Sequence, residues 1–431
     1  MRIATALALV CACTVHAQPG FEKIYQSGGG PTFVELQSQN LLTLLNISST
    51  STACGFSVIS QDGTIIHQAN LNPDTTLGVW AMEPRAANEF YFTSGYYKDT
   101  CINQFGNVAT RIHPMIGRID TLGNVLSAHY YVTEGAPCNN GLGALGTTSD
   151  GSSIAWGGLG RCAALKVNAS GVPQWSKRAL HNGGVRFIKE LSNGDLLMGL
   201  NMDTAGAVVA RMDALGNILW CKSYIRPKGM VQYCHLESDD SFIITGFTDS
   251  IQSTNPFIPL PPSFQPKLFM MKLDGVGEVQ WCRGYYSTPN LFMPVYSGTI
   301  VKAADDNYAV LATLGHVGYS IYHRPFLMKT DTNGDTLWTR KVGATGYNYF
   351  AGPLYAAPDG GFLVGGFIEG DLPGLNSGLP FVYKCDASGN FPCSGGSHPV
   401  QMVQLFPVDS TFTLSWVDVA TTAYPCFHIA N

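Results

Sequence analysis

Met271-Lys272-Leu273-Asp274-Gly275-Val276-Gly277, followed four residues on by Trp281, is the stretch on which the fold turns. Asp at one position and Gly three later suit a type I turn. The Asp side chain accepts local backbone hydrogen bonds, and the Gly adopts the left-handed conformation that closes the bulge. Alternating apolar residues flank such turns, as in Phe381-Val382-Tyr383 and Thr336-Leu337-Trp338, so the stretch predicts a β-hairpin. The same unit recurs at Ala210 to Trp220, at Met328 to Trp338 and at Leu165 to Trp175, where Asn168 replaces the Asp. Arg118-Ile119-Asp120 with Gly123, and Lys384-Cys385-Asp386 with Gly389, keep the turn but carry Ser127 and Cys393 at the Trp position. A degenerate copy around Phe56 to Gly63 places His67 there. Trp175, Trp220, Trp281, Trp338, Gly216, Gly277 and Gly334 are therefore read as structural.

The turn glycines, at 63, 123, 171, 216, 277, 334 and 389, are 60, 48, 45, 61, 57 and 55 residues apart. The motif is rigid and the intervals vary, which confines length changes to loops. A second hairpin signal falls between units: Asp150-Gly151, Asn193-Gly194, Asp239-Asp240 and Asp359-Gly360-Gly361 before Phe362-Leu363-Val364. Two hairpins per repeat make four strands per repeat, the signature of a β-propeller. The expectation is an all-β, seven-bladed β-propeller of four-stranded antiparallel blades over residues 18–393. A strand at Phe21 to Tyr25 pairs with a C-terminal one, and residues 394–431 form a β extension docked on the ring or finishing it.

Composition agrees. Charged residues are 13% of the 431, against roughly 25% in an ordinary domain. Hydrophobic residues at 45% exclude a disordered chain, and a net charge of −5 offers no basic field for nucleic acid. Met1-Arg2, an apolar run from Ile3 to Cys13 and Val15-His16-Ala17 read as a secretory signal peptide, residues 1–17, cleaved after Ala17. Val10-Cys11-Ala12-Cys13 loosely resembles a lipobox, which would instead anchor a lipid on Cys13. No later run is long enough for a transmembrane segment. Ten cysteines remain beyond the signal, an even number that suggests disulfides in an exported chain. Cys385 with Cys393 and Cys221 with Cys234 are the first candidates, and buried free thiols are the alternative.

The alternation of Lys-x-Asp-x-x-Gly-x-x-x-Trp with Asp-Gly-Gly-Phe-Leu-Val-Gly-Gly resembles the exported β-propeller repeat proteins common in Bacteroidota, over nearly all of the mature chain. The resemblance implies a surface location and a shape. Members are often cargo of type IX secretion, but no C-terminal sorting domain is evident here. Quinoprotein propellers also carry a docking Trp. Their turn is one residue longer, and their vicinal cysteine pair is missing here, so no cofactor is expected.

In a meander the connections alternate between the two ends of a blade. Both sets of tight turns then share one end, and the variable loops share the other. The loops carry Tyr96, Tyr97, Arg226, Tyr285, Tyr286, His316, Tyr319, Tyr322, His323 and Tyr347, the candidate ligand-binding residues. Aromatic rings with sparse charge suit a glycan or a protein surface, or else they pack the loops onto the ring. The basic residue two places before each turn Asp is read as an outward-facing strand position. Gly141 to Gly146 matches GxGxxG without the following helix, and GxSxG, Walker A and HExxH motifs are absent. Asp331 to Asp335 lacks the closing Glu of a calcium loop, so no metal is expected. The function expected is a secreted or cell-surface binding module, monomeric and non-catalytic. A hydrolase or lyase at the central funnel, or a purely structural module, is the alternative.

Overall fold

The computed structural model describes residues 20–24, 33–35, 41–44, 54–60, 62–71, 80–86, 88–102, 106–133, 142–157, 163–180, 183–202, 206–226, 229–248, 267–286, 294–314, 323–343, 348–369, 379–392, 396–397 and 399–425. Every regular element among them is a β-strand. Among the described residues no helix is long and apolar enough to cross a membrane.

The chain begins with β1 (Phe21–Ile24). The first sheet is β2 (Phe33–Glu35), β3 (Leu41–Leu44), β4 (Cys54–Ile59) and β5 (Ile65–Leu71). The second is β6 (Ala81–Ala86), β7 (Glu89–Ile102), β8 (Val108–Asp120) and β9 (Val125–Thr133). The third is β10 (Ala144–Thr147), β11 (Ser153–Gly157), β12 (Ala163–Val167) and β13 (Pro173–Ala179). The fourth is β14 (Gly183–Glu190), β15 (Leu196–Met202), β16 (Gly206–Met212) and β17 (Ile218–Arg226). The fifth is β18 (Gly229–Leu236), β19 (Phe242–Thr248), β20 (Lys267–Leu273) and β21 (Val279–Tyr286). The sixth is β22 (Pro294–Lys302), β23 (Tyr308–Leu314), β24 (Arg324–Thr330) and β25 (Thr336–Lys341). The seventh is β26 (Asn348–Ala356), β27 (Phe362–Glu369) and β28 (Leu379–Cys385), completed by β1, which pairs antiparallel with β28. Each sheet is an antiparallel meander.

The repeated turn folds as its residues dictate. At Asp213 the Gly216 amide donates to the Asp213 carbonyl at 2.9 Å, while Oδ1 accepts from the amides of Leu215 and Asn217 at 2.9 and 2.8 Å. The arrangement returns at Asp120, Asn168, Asp274, Asp331 and Asp386. The Trp that follows belongs to the neighbouring sheet's turn. A Cβ on Gly277 would lie 2.8 Å from the Trp220 ring, and one on Gly334 3.0 Å from Trp281. Trp175 Nε1 donates to the Ala214 carbonyl at 3.0 Å. His67, at the Trp position of the first sheet, reaches the Leu122 carbonyl at 3.1 Å in the same way.

The core is a series of seams between consecutive sheets. Val58 meets Met82 and Phe92 between the first and second, and Tyr131 meets Leu145 and Leu165 between the second and third. Further seams join third to fourth, fourth to fifth, fifth to sixth and sixth to seventh. Ile59 of the first sheet packs with Leu363 and Val382 of the seventh. The first strands make the same circuit: β6 touches β10, β10 touches β14, and so on to β26, while β2 touches both β6 and β26. Sheets covered on both faces have middle strands buried throughout, as β19, β23 and β28 are.

The chain then turns back. β29 (Gly396–Ser397), β30 (Gln401–Gln404), β31 (Val408–Thr411), β32 (Trp416–Asp418) and β33 (Thr421–Pro425) add in turn to β25, β21, β17, β13 and β9. The sequence indicated β structure here but not that one segment serves five sheets.

Two expectations are corrected. Cys221, Cys234, Cys282 and Cys385 are buried free thiols, so neither Cys385–Cys393 nor Cys221–Cys234 is bridged. Cys221 faces the seam between the third and fourth sheets and Cys234 the seam between the fourth and fifth. Burial pushes both thiols up to about 12. Cys101 is disulfide-bonded. The recurrent basic residues do not face outward. Lys166, Lys329 and Lys384 are buried and reach the acid of the other tight turn in their sheet: Asp150 at 3.3 Å, Asp305 at 2.7 Å, and Asp359. Arg211 pairs likewise with Asp195 at 2.7 Å.

Candidate functional site on the second sheet

The two ends of the sheets differ in what they leave available. At the tight-turn end neighbouring sheets lock together. Ser192 hydrogen-bonds Asp240 through its amide at 2.8 Å and its hydroxyl at 2.5 Å, and the Ser149 amide donates to Glu190 at 2.6 Å. Glu237 accepts from Lys302 Nζ at 2.9 Å and from the Tyr308 hydroxyl, with His235 at 3.8 Å. Burial opposes ionisation of Glu237, but those two hydrogen bonds hold its carboxyl below the usual range. Both oxygens are committed, so this polar cluster works as a fastening.

At the other end the β7–β8 hairpin outreaches its neighbours. Tyr96 on β7 stands opposite His113 on β8, Met115 stands opposite Tyr130 on β9, and Tyr130 stands opposite Tyr424 on β33. Directly opposed residues share a face, and the period of two brings His113 and Met115 to that same face. Three tyrosine rings stack there. Tyr96 and Tyr130 have centroids 4.7 Å apart with planes 19° apart, and Tyr130 and Tyr424 are 5.2 Å and 14° apart. Tyr130 is buried in the middle, while Tyr424 keeps 41% of its surface exposed.

Polar groups lie beside the stack. His113 is buried, its ring 6.0 Å from Tyr130, and its Nε2 is 2.9 Å from Asp99 Oδ1. Arg111 Nε lies 4.0 Å from the same oxygen and makes no hydrogen bond among the described residues. Desolvation works against the Asp99 carboxylate, but the His113 hydrogen bond and the nearby Arg111 guanidinium hold its pKa down. Half of the Asp99 side chain stays open to solvent. The result is an aromatic ledge made of stacked rings, their inner faces covering one another and Tyr424 exposed at one end, with an anion and a guanidinium beside it. Such a surface stacks against apolar ring faces and exchanges hydrogen bonds with hydroxyls.

Of the sequence candidates, Tyr96 stands in this ledge. The backbones of Tyr97 and Arg226 lie in β7 and β17, opposite Ile112 and Val408, and their side chains lie outside the described residues. So do His316, Tyr319, Tyr322 and Tyr347. Tyr285 is a correction: it is fully buried and donates its hydroxyl to the Gly334 carbonyl at 2.5 Å. Tyr286 packs half-buried against the seams of the fifth sheet. His323 lies edge-on to Phe350 at 4.9 Å, and its carbonyl accepts from the Tyr349 amide at 2.8 Å. Sequence reasoning missed Tyr130, Tyr424, His113, Asp99 and Arg111. Only the strand register, and for Tyr424 the returning segment, brings them together. Among the described residues no group of three or more His, Cys, Asp or Glu is placed to hold a metal ion.

No protein-family model and no curated protein sequence matches the chain. Among solved structures it is similar to a protein of unknown function from Bacteroides caccae, at 12% identity and a TM-score of 0.39, covering 70% of this chain and 94% of that one. It is also similar to a structure described as the eukaryotic initiation factor, at 9% identity and a TM-score of 0.36, covering 88% of this chain and 90% of that one.

Proposed function

We propose that the chain is a secreted or cell-surface β-propeller of seven blades, a non-catalytic binding module that holds a glycan at the loop end of its second blade. Support for the propeller is the set of seven meander sheets, the seams between consecutive sheets and the contacts of β2 with both β6 and β26. Support for export is the signal-like Met1 to Ala17 together with a repeat resembling exported Bacteroidota propellers. The single observation that carries the binding reading is the Tyr96–Tyr130–Tyr424 stack with Asp99 and Arg111 at its edge. The exposed Tyr424 ring at the end of the stack would take the apolar face of a sugar ring, and the charged pair its hydroxyls.

The test is a glycan array combined with a hydrolysis screen on the chain from residue 18. Binding should fall about tenfold in Tyr424→Ala and in Tyr96→Ala, as expected for the loss of one ring contact of ~1.4 kcal/mol. Binding unchanged in both variants would remove the ledge from the reading. Turnover would replace binding by catalysis, and an array without hits would leave a protein surface as the ligand class.

A further inference from the structure

The basic residue of the turn motif marks one height in each sheet, and the register carries that height inward to the first strand. Arg118 lies opposite Tyr91, which lies opposite Glu83. Arg211 leads through Leu197 to Lys189, and Lys272 through Ile243 to His235. Lys166 leads through Ile154 to Gly146. Lys329 and Lys384 lead to Val301 and Tyr355. Glu83, Gly146, Lys189, His235, Val301 and Tyr355 therefore stand at one level, on first strands that touch in succession from β6 to β26.

Gly146 has no side chain, so at this level the third sheet puts none between Glu83 and Lys189. Burial dominates the shifts of Glu83, Cys234 and His235, and the Lys189 charge is felt at all three, which puts its ammonium within reach of both sides. Glu83 is half-buried and Lys189 is exposed. A residue within a first strand has its own sheet behind it and other first strands on either side. Its exposure is to the space that these strands enclose.

Nearer the start of the strands a bulge adds a second cation. The register of β14 on β15 shifts between Val185 and Phe187, so Arg186 stands opposite no residue. Val185 turns into the seam between the third and fourth sheets and Phe187 into the next. Arg186 is left exposed. β18 shifts at the same height, between Val231 and Tyr233 with Gln232 as the extra residue, and Tyr233 keeps 39% of its surface exposed. Bulges of this kind re-aim side chains beside functional sites. Two exposed cations on β14 thus share an enclosed space with one carboxyl and one imidazole, and low-dielectric walls concentrate their field.

We propose that the space enclosed by the first strands is an oxyanion site, in which Lys189 and Arg186 hold a carboxylate or phosphate group that enters from the end opposite the tight turns. An ammonium and a guanidinium bind such groups through charge-assisted hydrogen bonds. The inference uses only the order and register of the first strands and is independent of the tyrosine ledge.

Isothermal titration of the full chain at low ionic strength, with inorganic phosphate and separately with galacturonate, tests it and tells the two sources of the group apart. At least one probe should saturate a single site. Lys189→Gln and Arg186→Gln should each weaken that binding about tenfold or more, as expected for the loss of a charge-assisted hydrogen bond. Lys189→Arg, which keeps the charge, should retain most of it. Lys341→Gln, which removes a cation from the outer strand of the sixth sheet, should leave it unchanged. Lys189 and Arg186 are exposed, so their variants should keep the parent's denaturation midpoint. Saturation by neither probe, equal affinity in all variants, or a loss in Lys341→Gln as large as in Lys189→Gln would overturn the proposal.

Discussion

Gly277 carries two requirements. Its φ of 80° lies in the left-handed region, and a Cβ would also meet Trp220 at 2.8 Å. Gly151 has a similar φ of 76° but open space around it. A comparison of the two separates backbone strain from packing. Gly151→Ala should cost ~1–2 kcal/mol, the left-handed penalty alone. Gly277→Ala should cost at least ~1 kcal/mol more, since displacing a packed ring adds strain. The measurement is the denaturant midpoint of each variant, and equal costs would mean that Trp220 gives way freely. The turn itself was legible in the sequence, because Asp-x-x-Gly is local chemistry. The partner of the Trp was not, because the ring reaches a turn more than fifty residues away.

At the scale of the strand, alternation decides which aromatic residues face a seam and fasten neighbouring sheets. Tyr224 on β17 and Tyr285 on β21 stand four residues after Trp220 and Trp281, on the same face as those rings. That face looks into the seam, so their hydroxyls donate to the carbonyls of Gly277 and Gly334 in the next sheet, at 2.8 and 2.5 Å. Tyr131 does the same to Gly171 at 3.0 Å. Tyr224→Phe and Tyr285→Phe should each cost ~1 kcal/mol, rising toward ~2 if the carbonyl is left unpaired. Two-state denaturation of the single and double variants checks this, and the effects should add because the two contacts lie in different seams. Tyr285 passes in the sequence for a loop residue because it sits where the strand gives way to a variable segment, and periodicity does not reveal where pairing stops.

Across the whole molecule the charged groups make stability depend on acid. Burial opposes the carboxylates of Asp150, Asp305 and Asp359, but hydrogen bonds from their own turns and from the paired lysines hold all three below the ordinary range. Depressed folded values give stability that is present above the unfolded value of about 3.9 and is lost as pH falls below it. Desolvation lowers His129 and His235, so their contribution fades earlier, as pH falls below about 6.5. Glu83 has the opposite sign. Half-buried, it is raised by desolvation, with Lys189 only partly offsetting, so its contribution is lost as pH rises above about 4.3. Denaturation midpoints should therefore drop from pH 7 to 5.5 and again to 3.5. Glu83→Gln should gain stability at pH 7 relative to pH 4, and an unchanged pH dependence in that variant would refute the assignment. By itself the sequence determined the hairpin unit, its seven copies and the β class. Each of these rests on local turn chemistry or a periodicity of two. Tertiary structure alone decided that the basic residues lie buried against the other turn, that four cysteines stay free in seams, and that the chain's last segment returns along five sheet edges to lay Tyr424 on Tyr130. Those outcomes depend on which faces and edges meet, and contacts between residues far apart in sequence leave no periodic trace in it.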